Sequence, residues 1–167
     1  MKLQKCVNNS RESREFGVIA CLDTDTDGTL RRYVLIAPKA NPRIASEYLG
    51  DYRVSSGAVV QPSEVPDLVA VLTSIVTRWN ENRAPSEGSF WEFSSSPAHR
   101  EIAMSDSVVD VRPSLEIYGS GLKDGAGIRM RISEQRFSYL AELKTREQVQ
   151  CFIDALQRAV KTAEDLK

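Results

Sequence analysis

The sequence predicts an α+β fold: a mostly antiparallel sheet of about six to eight strands with two amphipathic helices, residues 63–80 and 146–165, packed on one face. Three observations lead there. Short runs rich in β-branched and aromatic residues recur from Phe16 to Leu143, most of them alternating apolar with polar positions. The apolar period changes to three-four spacing in only two places. Turn residues, above all Asp-Gly, punctuate the strand-like runs at short intervals.

The elements follow in order. Residues 1–15 are polar and charged and offer almost nothing to bury, so they read as a tail or a weakly held first element, and a single domain is expected over 16–167. FGVIACLD and LRRYVLIAP are two strands around the segment that begins Asp23-Thr24-Asp25-Thr26-Asp27-Gly28. YRVSSGAVV, residues 52–60, is a third. From Ser63 to Asn80 the apolar residues Val65, Leu68, Leu72, Ile75 and Trp79 line one helical stripe, with Ser63 placed to cap it and Pro66 in the first turn, where a missing N–H costs little. RAPSEGS, residues 83–89, is a Pro/Gly connector.

Further strands are expected at 90–94, 100–105, 114–119, 128–133 and 137–143. The second helix opens on a capping box, Thr145 with Gln148, and buries Val149, Phe152, Ile153, Leu156 and Val160. Asp154 and Arg158 stand one turn apart on its outer face, an i,i+4 pair of small worth. Adding 84 to the first helix's apolar positions takes Val65 to Val149, Leu68 to Phe152 and Leu72 to Leu156. Asp27-Gly28 likewise matches Asp124-Gly125 at a shift of 97, with the extra length of the first half assigned to PKANPRIASEYLGD. Two βββα-like half-repeats, 16–82 and 89–167, are therefore one reading of the chain; two unrelated amphipathic helices in coincident register are the other.

Composition narrows the class. The chain has 167 residues, 41% apolar and 27% charged, which suits one globular domain with a core of its own. Twenty-two Lys and Arg against 23 Asp and Glu leave a net charge of −1, so no polyanion is held by net charge alone, although a local basic face remains open. The N-terminal segment lacks the apolar stretch of a signal peptide, and no later run approaches the ~20 apolar residues of a membrane span, so a cytoplasmic protein is expected. Cys6, Cys21 and Cys151 are odd in number and lack CxxC spacing, which favours reduced, structural thiols over a disulfide framework or a zinc site.

CLDTDTDGTLRRY, residues 21–33, is the segment that most resembles chemistry. As a calcium loop starting at Asp23 it would put Arg31 at the ninth position and Val34 at the twelfth, where a bidentate carboxylate is needed, and strands flank it where helices belong. Asp25, Asp27, Gly28, Thr29 and Leu30 resemble the D-x-D-G-T-L signature of haloacid-dehalogenase-like phosphatases, which implies Asp25 as nucleophile and Asp27 as the proton-handling carboxylate. The likeness spans six residues. The later acidic pair that would hold magnesium has no counterpart, since Asp106, Asp110 and Asp124 are isolated. A solvated hairpin turn, with Asp-Gly meeting the backbone demand, accounts for the residues more simply. GSGLKDGAG, 119–127, lacks the Walker spacing and leads into a strand, so it too reads as a hairpin.

His99 is the only histidine, which excludes a histidine pair or trio within one chain, and no G-x-S-x-G elbow accompanies it. Trp79, Trp91 and Phe93 read as core aromatics, or, if only one sheet face is covered, as lining for a groove. The strand IRMRIS sends Ile128, Met130 and Ile132 to one face and Arg129 and Arg131 to the other, beside Tyr118 of SLEIYG. Phenol and guanidinium groups on one open face can stack bases and neutralise phosphates, although Glu116 and Glu142 are expected to share that face and pair with the arginines.

These residues point to a small cytoplasmic protein that binds or assembles, a homo-oligomer or a partner of another protein, with no cofactor, metal site or membrane role and no catalytic residues assigned. Single-stranded nucleic-acid binding through Tyr118, Arg129 and Arg131 is the alternative. A phosphoryl-transfer or metal-dependent enzyme at Asp25 and Asp27 is the second.

Overall fold

The computed structural model describes residues 3–9, 16–24, 26–38, 48–49, 52–53, 58–80, 88–94, 114–122, 125–134 and 137–167, and the strands between 88 and 141 by backbone and register. The elements are β1 (Leu3–Asn8), β2 (Phe16–Thr24), β3 (Leu30–Pro38), β4 (Tyr48–Leu49), β5 (Tyr52–Arg53), β6 (Ala58–Val60), α1 (Val65–Asn80), β7 (Gly88–Ser94), β8 (Ser114–Leu122), β9 (Gly125–Glu134), β10 (Phe137–Leu143) and α2 (Arg146–Asp165). All pairings are antiparallel. The α+β class and both helices match the sequence reading. The single sheet of six to eight strands is instead divided, among the described residues, into two four-stranded sheets, β1-β2-β3-β6 and β7-β8-β9-β10, and the short β4-β5 pair. Alternation identifies strands but not which edges join, and the α1 excursion after β6 ends one meander before the next begins. The expected strand at 100–105 lies outside the described residues.

β2 is an almost unbroken apolar run because both faces of the first sheet are covered. On one face Val18 and Ala20 of β2 and Val34 and Ile36 of β3 join a core with Leu68 and Leu72 of α1 and Phe152 and Leu156 of α2. On the other, Ile19, Cys21, Tyr33, Leu35 and Val59 form a second buried cluster. The two helices pack on each other, and α2 also lies on β2, β3 and β10, so residues 149–163 close a core built mainly by the first half. Each fully buried Leu or Phe contributes about 1.5–3 kcal/mol relative to exposure.

The helix ends show which local signals held. The reciprocal capping box of α2 is present: Thr145 Oγ1 accepts from Gln148 N–H at 3.2 Å, while Gln148 Oε1 accepts from Thr145 N–H at 3.2 Å and Lys144 N–H at 2.6 Å. At α1 the cap differs from expectation. The helix starts at Val65, after a turn in which Glu64 Oε2 accepts from Gln61 N–H at 2.8 Å, so a carboxylate rather than the Ser63 hydroxyl ties the entry. Asp154 and Arg158 do not pair. Asp154 accepts from Gln150 at 2.9 Å, and Arg158 donates to the Asn9 carbonyl at 3.2 Å.

Two corrections concern the N-terminal segment. Leu3–Asn8, read as part of a polar tail, is strand β1 on the edge of the first sheet. An edge strand is held by its ladder and needs few apolar side chains, and Val7 remains 42% exposed. Cys6 and Cys21, read as reduced thiols, are bonded to each other: they are direct register partners, 4.2 Å apart at Cα, and spacing along the chain carries no hint of that pairing. Cys151 is exposed and takes no part in the disulfide. Among the described residues no helix is long and apolar enough to cross a membrane.

Candidate nucleic-acid interface

The aspartate segment forms the β2–β3 hairpin, closed by the pair Thr24–Leu30. Gly28 takes φ +85°, the left-handed conformation that glycine adopts without a Cβ penalty. Asp27 Oδ1 accepts from Thr29 N–H at 2.9 Å, a local turn bond, and that backbone donor holds the exposed Asp27 carboxyl below its ordinary range. Asp25 and His99 lie outside the described residues. The hairpin reading meets one exception: Asp23 is only 4% exposed, and its Oδ1 accepts from the Tyr33 hydroxyl at 3.2 Å. Asp23 stands two residues after Cys21 on the buried face, and its acceptor need is met there by Tyr33 rather than by solvent. The signal was the alternation itself, which continues one position past the apolar run. Among the described residues, no three His, Cys, Asp or Glu side chains converge to hold a metal.

The second sheet assembles the other candidate residues. Its register sets Tyr118 opposite Arg129 and Arg129 opposite Glu142, a transverse row across β8, β9 and β10. The next row sets Glu92 opposite Glu116, Glu116 opposite Arg131 and Arg131 opposite Leu140. A third is all serine: Ser94, Ser114, Ser133 and Ser138. The three site residues named from the sequence therefore occupy neighbouring positions on one face, with the two glutamates directly across from the two arginines.

The opposite face carries Trp91 and Phe93 opposite Ile117 and Leu115, and Tyr139 and Ala141 opposite Ile132 and Met130. Leu143, on that apolar face and opposite Ile128, packs into the core shared with the helices. The strand pleat then puts the Tyr118–Arg129–Glu142 row on the face turned away from that core. Lys144 adds a cation that the sequence reading missed: its Nζ lies 3.5 Å from Glu142 Oε2, and both side chains keep contact with solvent. The available signal was its i+2 position after Glu142 at a strand end.

Fold and site together define an α+β protein of two antiparallel meanders with a mixed polar face on the second. No family model matches the chain, and no curated protein matches it. Among solved structures it is similar to WHY1 from Arabidopsis thaliana, at 14% identity over 96% of this chain and 84% of that one, with a TM-score of 0.39. WHY3 from Arabidopsis thaliana gives 15% identity over 95% and 86%, with a TM-score of 0.39.

Proposed function

We propose that this chain is a non-enzymatic binding protein that holds single-stranded nucleic acid on the polar face of its second sheet. The observation behind this reading is the β8–β9 register, which places an aromatic position, Tyr118, directly across from Arg129, with Arg131 two residues further along the same face. A base stacks on the phenol while Arg129 and Arg131, whose backbone positions lie about 6.6 Å apart along β9, meet successive backbone phosphates. The serine row supplies hydroxyl donors and acceptors. Glu116 and Glu142 compete with phosphate for the arginines, which makes binding moderate and salt-sensitive. The test is titration of a labelled single-stranded oligonucleotide against the wild type and the Arg129→Gln/Arg131→Gln variant at several salt concentrations.

The same reading treats the two meanders as halves of a duplicated unit. Each has four strands followed by a helix. Residues 39–57 lie between β3 and β6, whereas 135–136 lie between β9 and β10, a difference in length that supports this reading. In each sheet the Asp-Gly dipeptide falls between the second and third strands or at the start of the third: Asp27-Gly28 between β2 and β3, and Gly125 at the first residue of β9. In the paired helix positions Val65 and Val149, Leu68 and Phe152, and Leu72 and Leu156 are all buried in one core. Under this correspondence the polar face of β8 and β9 matches the face that is apolar and buried in β2 and β3, so one half kept a structural surface while the other became the binding one.

A further inference from the structure

We propose that the Cys6–Cys21 bond is a redox-operated clasp on the edge of the first sheet, whose reduction by a dithiol frees the Leu3–Val7 part of β1 while Asn9 stays in place. Beside Cys6, the described side chains of that end are Lys5 and Val7. Lys5 is exposed, its Nζ donating to the Lys167 carbonyl at 2.5 Å, and Val7 is largely exposed. The other end is tied several ways: Asn9 N–H donates to the Val18 carbonyl at 2.8 Å, Thr162 Oγ1 donates to Asn9 Oδ1 at 2.9 Å, and Arg158 donates to the Asn9 carbonyl at 3.2 Å. Among the described side chains, the clasp therefore sits toward the end of the strand with fewer ties than Asn9.

Access decides the chemistry. Cys6 is half-buried whereas Cys21 is fully buried, so a reductant thiolate attacks Cys6 Sγ. The Cys6–Cys21 bond breaks as the mixed disulfide forms, and Cys21 leaves as a thiolate that takes up a proton. The second thiolate of the reductant then attacks its own sulfur in the mixed disulfide, and Cys6 departs and is protonated in turn. Two electrons and two protons pass to the protein, and the dithiol becomes a disulfide. The opened edge is β2, whose ladder groups toward β1 are then exposed to solvent.

The experiment is native alkylation with mass spectrometry, combined with hydrogen exchange on the full chain, air-oxidised and after dithiothreitol. Oxidised protein is expected to label only at Cys151, and reduced protein also at Cys6. Exchange at residues 5–7 should accelerate about a hundredfold on reduction, the scale for opening a loop of about 15 residues, while the Asn9 amide and α2 keep their protection. The Cys6→Ser variant should match the reduced state under both conditions; should it fail to fold, reduction of the wild type gives the same readout. Labelling of all three cysteines in air-oxidised protein, or equal exchange at residues 5–7 in both states, overturns the proposal.

Discussion

Replacing Arg129 and Arg131 together by glutamine removes two guanidinium charges from adjacent same-face positions of β9 and leaves the apolar face of that strand intact. If each meets one phosphate of a single strand, the two contacts contribute about 1.4 to the slope of log affinity against log salt, at about 0.7 per contact. Raising salt fourfold spans about 0.6 log units, so the wild type should lose about sevenfold more affinity than the variant over that range. Fluorescence anisotropy with a labelled oligonucleotide, from about 50 to about 200 mM salt, reads this directly as a narrowing gap between the two proteins. Tyr118→Leu should instead weaken binding by about 1–3 kcal/mol with the slope unchanged, because stacking releases no counterions. Glu116→Gln with Glu142→Gln should tighten binding roughly fivefold by removing the carboxylates opposite each arginine, an effect of about 1 kcal/mol. Parallel salt lines for wild type and the arginine variant, or no wild-type binding at low salt, would refute the assignment of this face.

Four further outcomes test the scaffold. Thr145→Ala should cost about 1 kcal/mol in urea unfolding, and adding Gln148→Ala should cost less than it does alone, because the two caps are reciprocal. Leu72→Ala, in the core between α1 and the first sheet, should lower stability by about 2–5 kcal/mol with an unchanged denaturant slope. Gly28→Ala should cost about 1–2 kcal/mol from the backbone alone, since no atom lies within 4 Å of the added Cβ and φ stays positive. Asp27 has a folded pKa below its ordinary value of 3.8, so its contribution is complete above that pH and is lost as pH falls through the folded value; Asp27→Asn should flatten the acid limb of the stability profile.

What could be read in the residues, and what could not, divides along a physical line. Signals carried by neighbours in sequence survived folding: the Thr145–Gln148 box, the Asp-Gly turn at Gly28 and the apolar stripes of both helices. Signals that depend on which strand lies beside which did not. Cys6 and Cys21 meet only because β1 pairs with β2 in one register, and β1 itself was hidden because an edge strand is specified by its backbone ladder more than by its side chains. Asp23 looked solvated because it opens a polar run, yet its place on the buried face follows from its parity with Cys21. At the candidate interface, Arg129 and Arg131 were legible from a two-residue period. Glu116 and Glu142 were legible on the same face, but which glutamate stands opposite which arginine is set by the β9–β10 and β8–β9 registers. Ser63 was a sound cap by residue type, but Glu64 supplied a longer arm that reaches back to Gln61.

The placement of α2 against β2 and β3 bears on how the chain is made. Those strands are synthesised well before Phe152, Leu156 and Ala159, which complete their cover and follow only after the whole second sheet. During translation the nascent first sheet must hold its apolar surface in the company of α1 until the second sheet has followed and α2 can close over it.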